Sequence, residues 1–134
     1  MGAPLRHLLC IDDEEDILQV AKLSLEMVGG LRVDLCRGSQ RAVEEAARLR
    51  PDMILLDVMM PERDGPATLK ALRAESATAD IPVIFMTAKV QPAEVAHYLG
   101  LGAIGVISKP FDPMTLSEQV KSLWSQQGPP ASKG

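Results

Sequence analysis

From residue 5 onward, short apolar runs alternate with longer stretches in which apolar residues recur every three or four positions. The first pattern is that of buried β-strands and the second that of amphipathic helices. A strand is predicted over 5–11, then a helix from about 14 to 28. In that helix Ile17, Ala21, Ser24, Leu25 and Val28 share a face, and Gly29 and Gly30 follow its end. A second strand is predicted over 32–36, with Ser39 as N-cap of an alanine-rich helix through Leu49 that Pro51 ends. The third strand is 52–57, and Asp64 caps a third helix with Gly65 and Pro66 in its first turn and Leu69 and Leu72 inward. Strand four is 82–86, and Pro92 opens a helix to about Leu99. Strand five is 104–107, and Asp112 and Pro113 supply the cap and first position of a last helix that buries Leu116, Val120 and Leu123. Strands alternating with helices from end to end predict an α/β domain, a parallel sheet covered on both faces.

At 134 residues the chain suits one domain with a single substantial core. That domain is expected over residues 1–126. Residues 127–134, which contain GPPASKG, have the composition of a disordered end and lead to no output domain. With 14 Lys plus Arg against 18 Asp plus Glu the net charge is -4, and no basic stripe with interleaved aromatics points to direct nucleic-acid binding. Cys10 and Cys36 each sit in an apolar run rather than at a metal or redox spacing, as small buried hydrophobes suited to a reducing cytoplasm. No run approaches the roughly 18 apolar residues of a membrane span, so a cytoplasmic protein without membrane contact is expected. Arg6 stands where a myristoylation motif beginning at Gly2 would need Ser or Thr.

The first strand runs straight into acid: LCIDDEED, residues 9–16. Two carboxylates about 4 Å apart repel by roughly 4 kcal/mol at an effective dielectric near 20, so such a cluster needs cations, protons or solvent. Glu14, Glu15 and Asp16 fall in the first helical turn, where the macrodipole favours negative charge. Asp12 and Asp13 need another answer. In an open parallel sheet, ligands bind outside the carboxyl ends of the strands. There Asp12 and Asp13 meet Asp57 from strand three, Thr87 from strand four and Lys109 from strand five. Three carboxylates are hard oxygen ligands suited to Mg²⁺. A carboxylate beside a divalent cation, an ammonium and a hydroxyl is equipped to accept a phosphoryl group, with Asp57 as nucleophile. Taken singly, each of these residues has an ordinary structural role; their coincidence at four strand ends points to chemistry.

The motifs IDDEED, LLDVMMPERDG, PVIFMTAK and KPFD, in this order, resemble the receiver domain of two-component response regulators over nearly all of residues 5–126. The resemblance implies a flavodoxin-like (βα)5 doubly wound fold, with a five-stranded parallel sheet in order 2-1-3-4-5, the order known for a chemotaxis receiver. It implies that Asp57 takes phosphate from a histidine kinase or histidine phosphotransfer protein as an acyl phosphate. Asp13 and Asp57 would hold Mg²⁺ with the backbone carbonyl of Met59, and Asp12 would act mainly through a bound water. Thr87 and Lys109 match the groups that receive the phosphoryl oxygens, Ala88 matches the small residue beside the site, and Lys109–Pro110 would be cis. Met59 and Lys89 fall at the variable positions flanking the phosphoryl group. The family commonly carries Tyr or Phe where this chain has Val106, so the usual aromatic switch is missing. Output would pass by protein contact through the fourth helix, fifth strand and fifth helix, or by handing the phosphoryl group onward.

Other signals yield to simpler readings. GLGAIG, residues 100–105, follows a helix and enters a strand, the reverse of a dinucleotide fingerprint. His7 and His97 have no ligand partner at a recognisable spacing, Trp124 packs near the end of the last helix, and Met59 and Met60 fill loop and core. A phosphohydrolase would want a second Asp two residues beyond Asp57, where Met59 stands, so the chain is expected not to be a turnover enzyme. A flavin cradle would not carry five acids. The remaining alternative is a receiver fold that serves as a scaffold without phosphorylation.

Overall fold

The computed structural model describes residues 3–127. Its elements are β1 (His7–Asp12), α1 (Glu15–Met27), β2 (Arg32–Arg37), α2 (Ala42–Leu49), β3 (Met53–Asp57), α3 (Gly65–Ala74), β4 (Val83–Thr87), α4 (Pro92–Gly100), β5 (Gly105–Ser108) and α5 (Leu116–Gln126). The five strands form one parallel sheet in the order β2-β1-β3-β4-β5. This is the flavodoxin-like arrangement expected from the sequence. The tail over 128–134 lies outside the described residues.

The sheet is apolar on both faces because both are covered, which is why its central strands read as unbroken hydrophobic runs. Leu8 and Cys10 of β1 and Leu55 of β3 pack with Leu18, Ala21 and Leu25 of α1 and Leu116 and Val120 of α5. Leu9 and Ile11 point the opposite way, with Ile54, Leu56 and Phe85, under Ala46 of α2, Leu69 and Leu72 of α3 and Tyr98 of α4. Burying a residue of Leu or Phe size contributes about 1.5–3 kcal/mol, so these two layers dominate the stability. Both cysteines are free and buried, and burial pushes the Cys10 thiol up to about 12, which makes it inert as a nucleophile.

Three local expectations change. Ser39 does not cap α2: its side-chain oxygen is buried without a partner, while its carbonyl accepts the Ala42 N–H at 3.2 Å. A turn entered through Gly38, at φ 84°, thereby takes residues that would have begun the helix. Asp112 does cap a turn, accepting the Met114 N–H at 2.9 Å, but 113–115 remain a turn and α5 starts at Leu116. The Pro113 carbonyl there accepts the Ser24 hydroxyl of α1, which anchors the turn to that helix. Val28 is exposed, and Leu18 joins Ala21, Ser24 and Leu25 on the buried face of α1.

α3 begins as predicted. Asp64 Oδ1 accepts the Ala67 N–H at 2.9 Å, and Pro66 sits in the first turn. Gly65 is there for close approach: a Cβ on it would lie 2.8 Å from both the Asp57 carbonyl oxygen and the Val58 Cα. Those are backbone atoms that cannot swing aside. Gly65→Ala is therefore expected to cost about 1–3 kcal/mol, read as a lower urea midpoint at unchanged slope. A wild-type midpoint would mean that the α3 start yields freely and does not fix the end of β3.

Candidate functional site

β1 and β3 are neighbours, yet the chain leaving β1 turns to the α1 face and the chain leaving β3 to the α3 face. The two departures leave a crevice at the carboxyl ends of the strands, the place where open α/β sheets bind ligands. Asp12 closes β1, Asp57 closes β3, Thr87 closes β4, and Lys109 follows β5 directly. The Lys109 N–H donates to the Thr87 carbonyl at 2.9 Å, extending the β4–β5 ladder, and the Lys109–Pro110 bond is cis as expected.

Side-chain geometry joins most of the predicted residues. Lys109 Nζ donates to Asp12 Oδ2 at 3.1 Å and to Asp57 Oδ1 at 3.2 Å. Asp12 and Asp57 are 1% and 2% exposed, so these are desolvated pairs rather than surface ones. Asp12 Oδ1 also accepts the Glu14 N–H at 2.9 Å, and Asp57 Oδ1 accepts the Met59 N–H at 3.4 Å. Asp57 Oδ2 receives no hydrogen bond among the described residues. Asp13 is half-buried, and its carboxylate belongs with those of Asp12 and Asp57 to a cluster whose oxygens lie within 4.8 Å of one another. Thr87 is buried, and its Oγ1 accepts the Lys89 N–H at 3.1 Å.

The charges do not balance. Three carboxylates face one ammonium, and the cost falls on Asp57: burial, then the neighbouring Asp12 charge, push its carboxyl up to about 6 against the lowering pull of Lys109 and the Met59 N–H. For Lys109, burial works against the ammonium, but the bonds and charges of Asp12 and Asp57 outweigh it and hold it above the ordinary lysine value. Three hard oxygen donors, two of them buried and short of positive charge, suit a small divalent cation.

Glu14, assigned from the sequence to the helix start alone, has Oε1 3.6 Å from Lys109 Nζ. Its side chain is 63% exposed, so the contact is a weak addition. Arg37 was also unforeseen; its Nε donates to the Asp13 carbonyl at 3.3 Å. Neither contact is signalled by spacing, since each depends on how neighbouring loops fold over one another. The Met59 side chain is exposed whereas Met60 is buried, so only Met60 fills core. His7 Nε2 lies 2.7 Å from Asp34 Oδ2 on the neighbouring strand, and His97 is exposed on α4; neither reaches the crevice.

A sequence model of the response regulator receiver domain matches residues 8–121. The chain belongs to that family. The receiver is 33% identical over 124 residues to the phosphate regulon transcriptional regulatory protein PhoB of Pseudomonas aeruginosa, a match covering 92% of this chain and 54% of that one. It is 33% identical to the alkaline phosphatase synthesis transcriptional regulatory protein PhoP of Bacillus subtilis, covering 88% and 48%. The chain thus spans about half the length of the curated relatives it matches. Among solved structures, the chemotaxis response regulator CheY4 of Vibrio cholerae superposes with a TM-score of 0.81 at 28% identity, covering 89% of this receiver and 98% of that chain. Receivers of this family serve two-component phosphorylation-dependent signalling, and nothing favours the scaffold alternative. No helix of the described residues is long and apolar enough to cross a membrane.

One family feature is replaced. Val106 is partly buried against the α2–α4 layer, while Tyr98 of α4 packs on Phe85 with ring centroids 5.3 Å apart at 59°. The ring pair joins α4 to β4, and β5 contributes Val106 rather than an aromatic to this layer.

Proposed function

We propose that this receiver accepts a phosphoryl group on Asp57 from a phosphohistidine of a kinase or phosphotransfer partner. The observation that carries this reading is the state of Asp57. Its carboxylate is buried at the end of a central strand with Oδ1 engaged by Lys109 and Met59, and among the described residues no donor reaches Oδ2. Oδ2 is the oxygen left to attack phosphorus as the donor's N–P bond breaks. Lys109 already points at the acceptor and is placed to neutralise a phosphoryl oxygen, and the Thr87 hydroxyl, accepting only from Lys89, keeps its hydrogen to donate.

Asp12, Asp13 and Asp57, with the Met59 carbonyl, are the residues that would hold Mg²⁺. When bound, the ion supplies charge stabilisation for the transferring oxygens. Asp12 would act mainly through a bound water, as the resemblance implies, while it holds Lys109 and the Glu14 N–H. The protein is read as a signalling partner rather than a turnover enzyme: it promotes only its own phosphoryl transfer and the slow hydrolysis that returns Asp57, and output passes by contact with a target protein or by handing the phosphoryl group onward. The expected setting is the cytoplasm, with no direct nucleic-acid contact by this domain.

Incubation with Mg²⁺ and acetyl phosphate, followed by intact mass measurement, is expected to give one phosphoryl adduct that Asp57→Asn lacks. No adduct in either protein would support a phosphorylation-independent scaffold instead.

A further inference from the structure

β2 is an edge of the sheet and, among the described residues, pairs only with β1. The Arg32 and Gly38 N–H groups point inward to the Arg6 and Asp12 carbonyls. By the alternation of a strand, the backbone groups of Val33, Leu35 and Arg37 point outward. Lys22 Nζ covers the Val33 carbonyl at 2.8 Å. Among the described residues nothing pairs with the outward N–H and C=O groups of Leu35 and Arg37. An open groove of about 490 Å³ lies here, lined by Leu35, Cys36, Arg37, Arg41, Glu45 and Arg48.

Three guanidiniums thus meet one carboxylate in the lining, on a chain whose net charge is -4. Arg48 reaches Glu45 at 2.7 Å, and Arg41 reaches Glu44 and Glu45 at 3.3 and 3.6 Å. Their side chains nonetheless remain 64% and 69% exposed, and among the described residues Arg37 has only a backbone oxygen as partner. Cationic side chains along a free edge discourage pairing with a second copy, which would bring the same charges to the same place. They favour an incoming strand that carries acids.

We propose that this groove docks an extended acidic segment of a partner protein, which adds a strand along β2 with its carboxylates on Arg41 and Arg48. Main-chain bonds to Leu35 and Arg37 would hold the segment, and the guanidiniums would select its charge. The lining includes none of Asp12, Asp13, Asp57, Thr87 and Lys109, and docking does not require phosphorylation of Asp57.

The test titrates acetyl-Glu-Val-Glu-Val-Glu-amide into the ¹⁵N-labelled full chain. Expected are shifts confined to residues 33–48, slower hydrogen exchange at the Leu35 and Arg37 amides, and weakening by salt. Arg41→Gln with Arg48→Gln is expected to weaken binding about tenfold, and Arg41→Gln alone by less, at an unchanged thermal midpoint. The same peptide with methylated backbone nitrogens is expected to give no protection. Binding absent at millimolar peptide, shifts centred elsewhere, full binding by the methylated peptide or by the double variant, or a dimer through β2 that the peptide does not dissolve would each overturn the proposal. Should the double variant fail to fold, the single variant and the methylated peptide decide the same question.

Discussion

Lys109→Met is expected to destabilise the receiver by about 3–5 kcal/mol near pH 8, and by markedly less near pH 5. Among the described residues Lys109 is the one side-chain cation bonded to both Asp12 and Asp57, and its removal leaves two buried carboxylates side by side without that counter-charge. Met keeps most of the length of the lysine stem, so the change isolates charge from packing. The pH dependence follows from Asp57. Its carboxyl already stands at about 6 with the ammonium present, and loss of the ammonium pushes it higher still. Acid then supplies the proton that relieves the repulsion. Mg²⁺ at a hundred times its dissociation constant is expected to restore about 2.7 kcal/mol. Urea denaturation at the two pH values, with and without Mg²⁺, checks this, and a loss independent of both would show that Lys109 contributes packing alone.

Asp57→Asn is expected to do the reverse, stabilising the metal-free receiver at neutral pH. In the folded protein the Asp57 carboxyl titrates near 6 instead of 3.8. An acid raised in this way adds stability that is complete below its unfolded pKa and disappears as pH rises through its folded one. Wild type therefore loses roughly 2–3 kcal/mol from this group between about pH 4 and pH 7, and the amide does not. The stability difference between variant and wild type should grow with pH across that window and shrink when Mg²⁺ is added. A difference that is flat with pH would mean that the buried carboxylate is not under charge stress. The two variants together describe a site that sacrifices stability for function: its acids repel one another until cations arrive.

Much of this was legible in the sequence, for physical reasons. Short apolar runs announced the strands, Asp64 with Pro66 announced α3 because cap and first turn lie within a few residues, and the acid, hydroxyl and ammonium fell at strand ends that a parallel sheet must bring together. The misread elements depend on contacts between distant segments. Ser39 resembles a cap, but its backbone carbonyl serves that turn. Pro113 resembles the first residue of a helix, but its carbonyl is claimed by Ser24 some 89 residues away. The His7–Asp34 pair and the Trp124 Nε1 bond to the Ala3 carbonyl at 2.9 Å were equally invisible, since neither has a local pattern. The raised Asp57 carboxyl lies between the two cases: the clustering of acids was evident, but only burial and the position of one lysine decide which acid bears the strain.

Borohydride reduction of the acetyl-phosphate-treated protein, followed by peptide mass spectrometry, identifies the phosphoryl acceptor, because it converts an aspartyl phosphate to homoserine and leaves a free aspartate unchanged. The account predicts homoserine at position 57 and nowhere else, dependent on Mg²⁺. Homoserine at position 12 or 13, or a stable phosphate on another side chain with residue 57 unmodified, would contradict it.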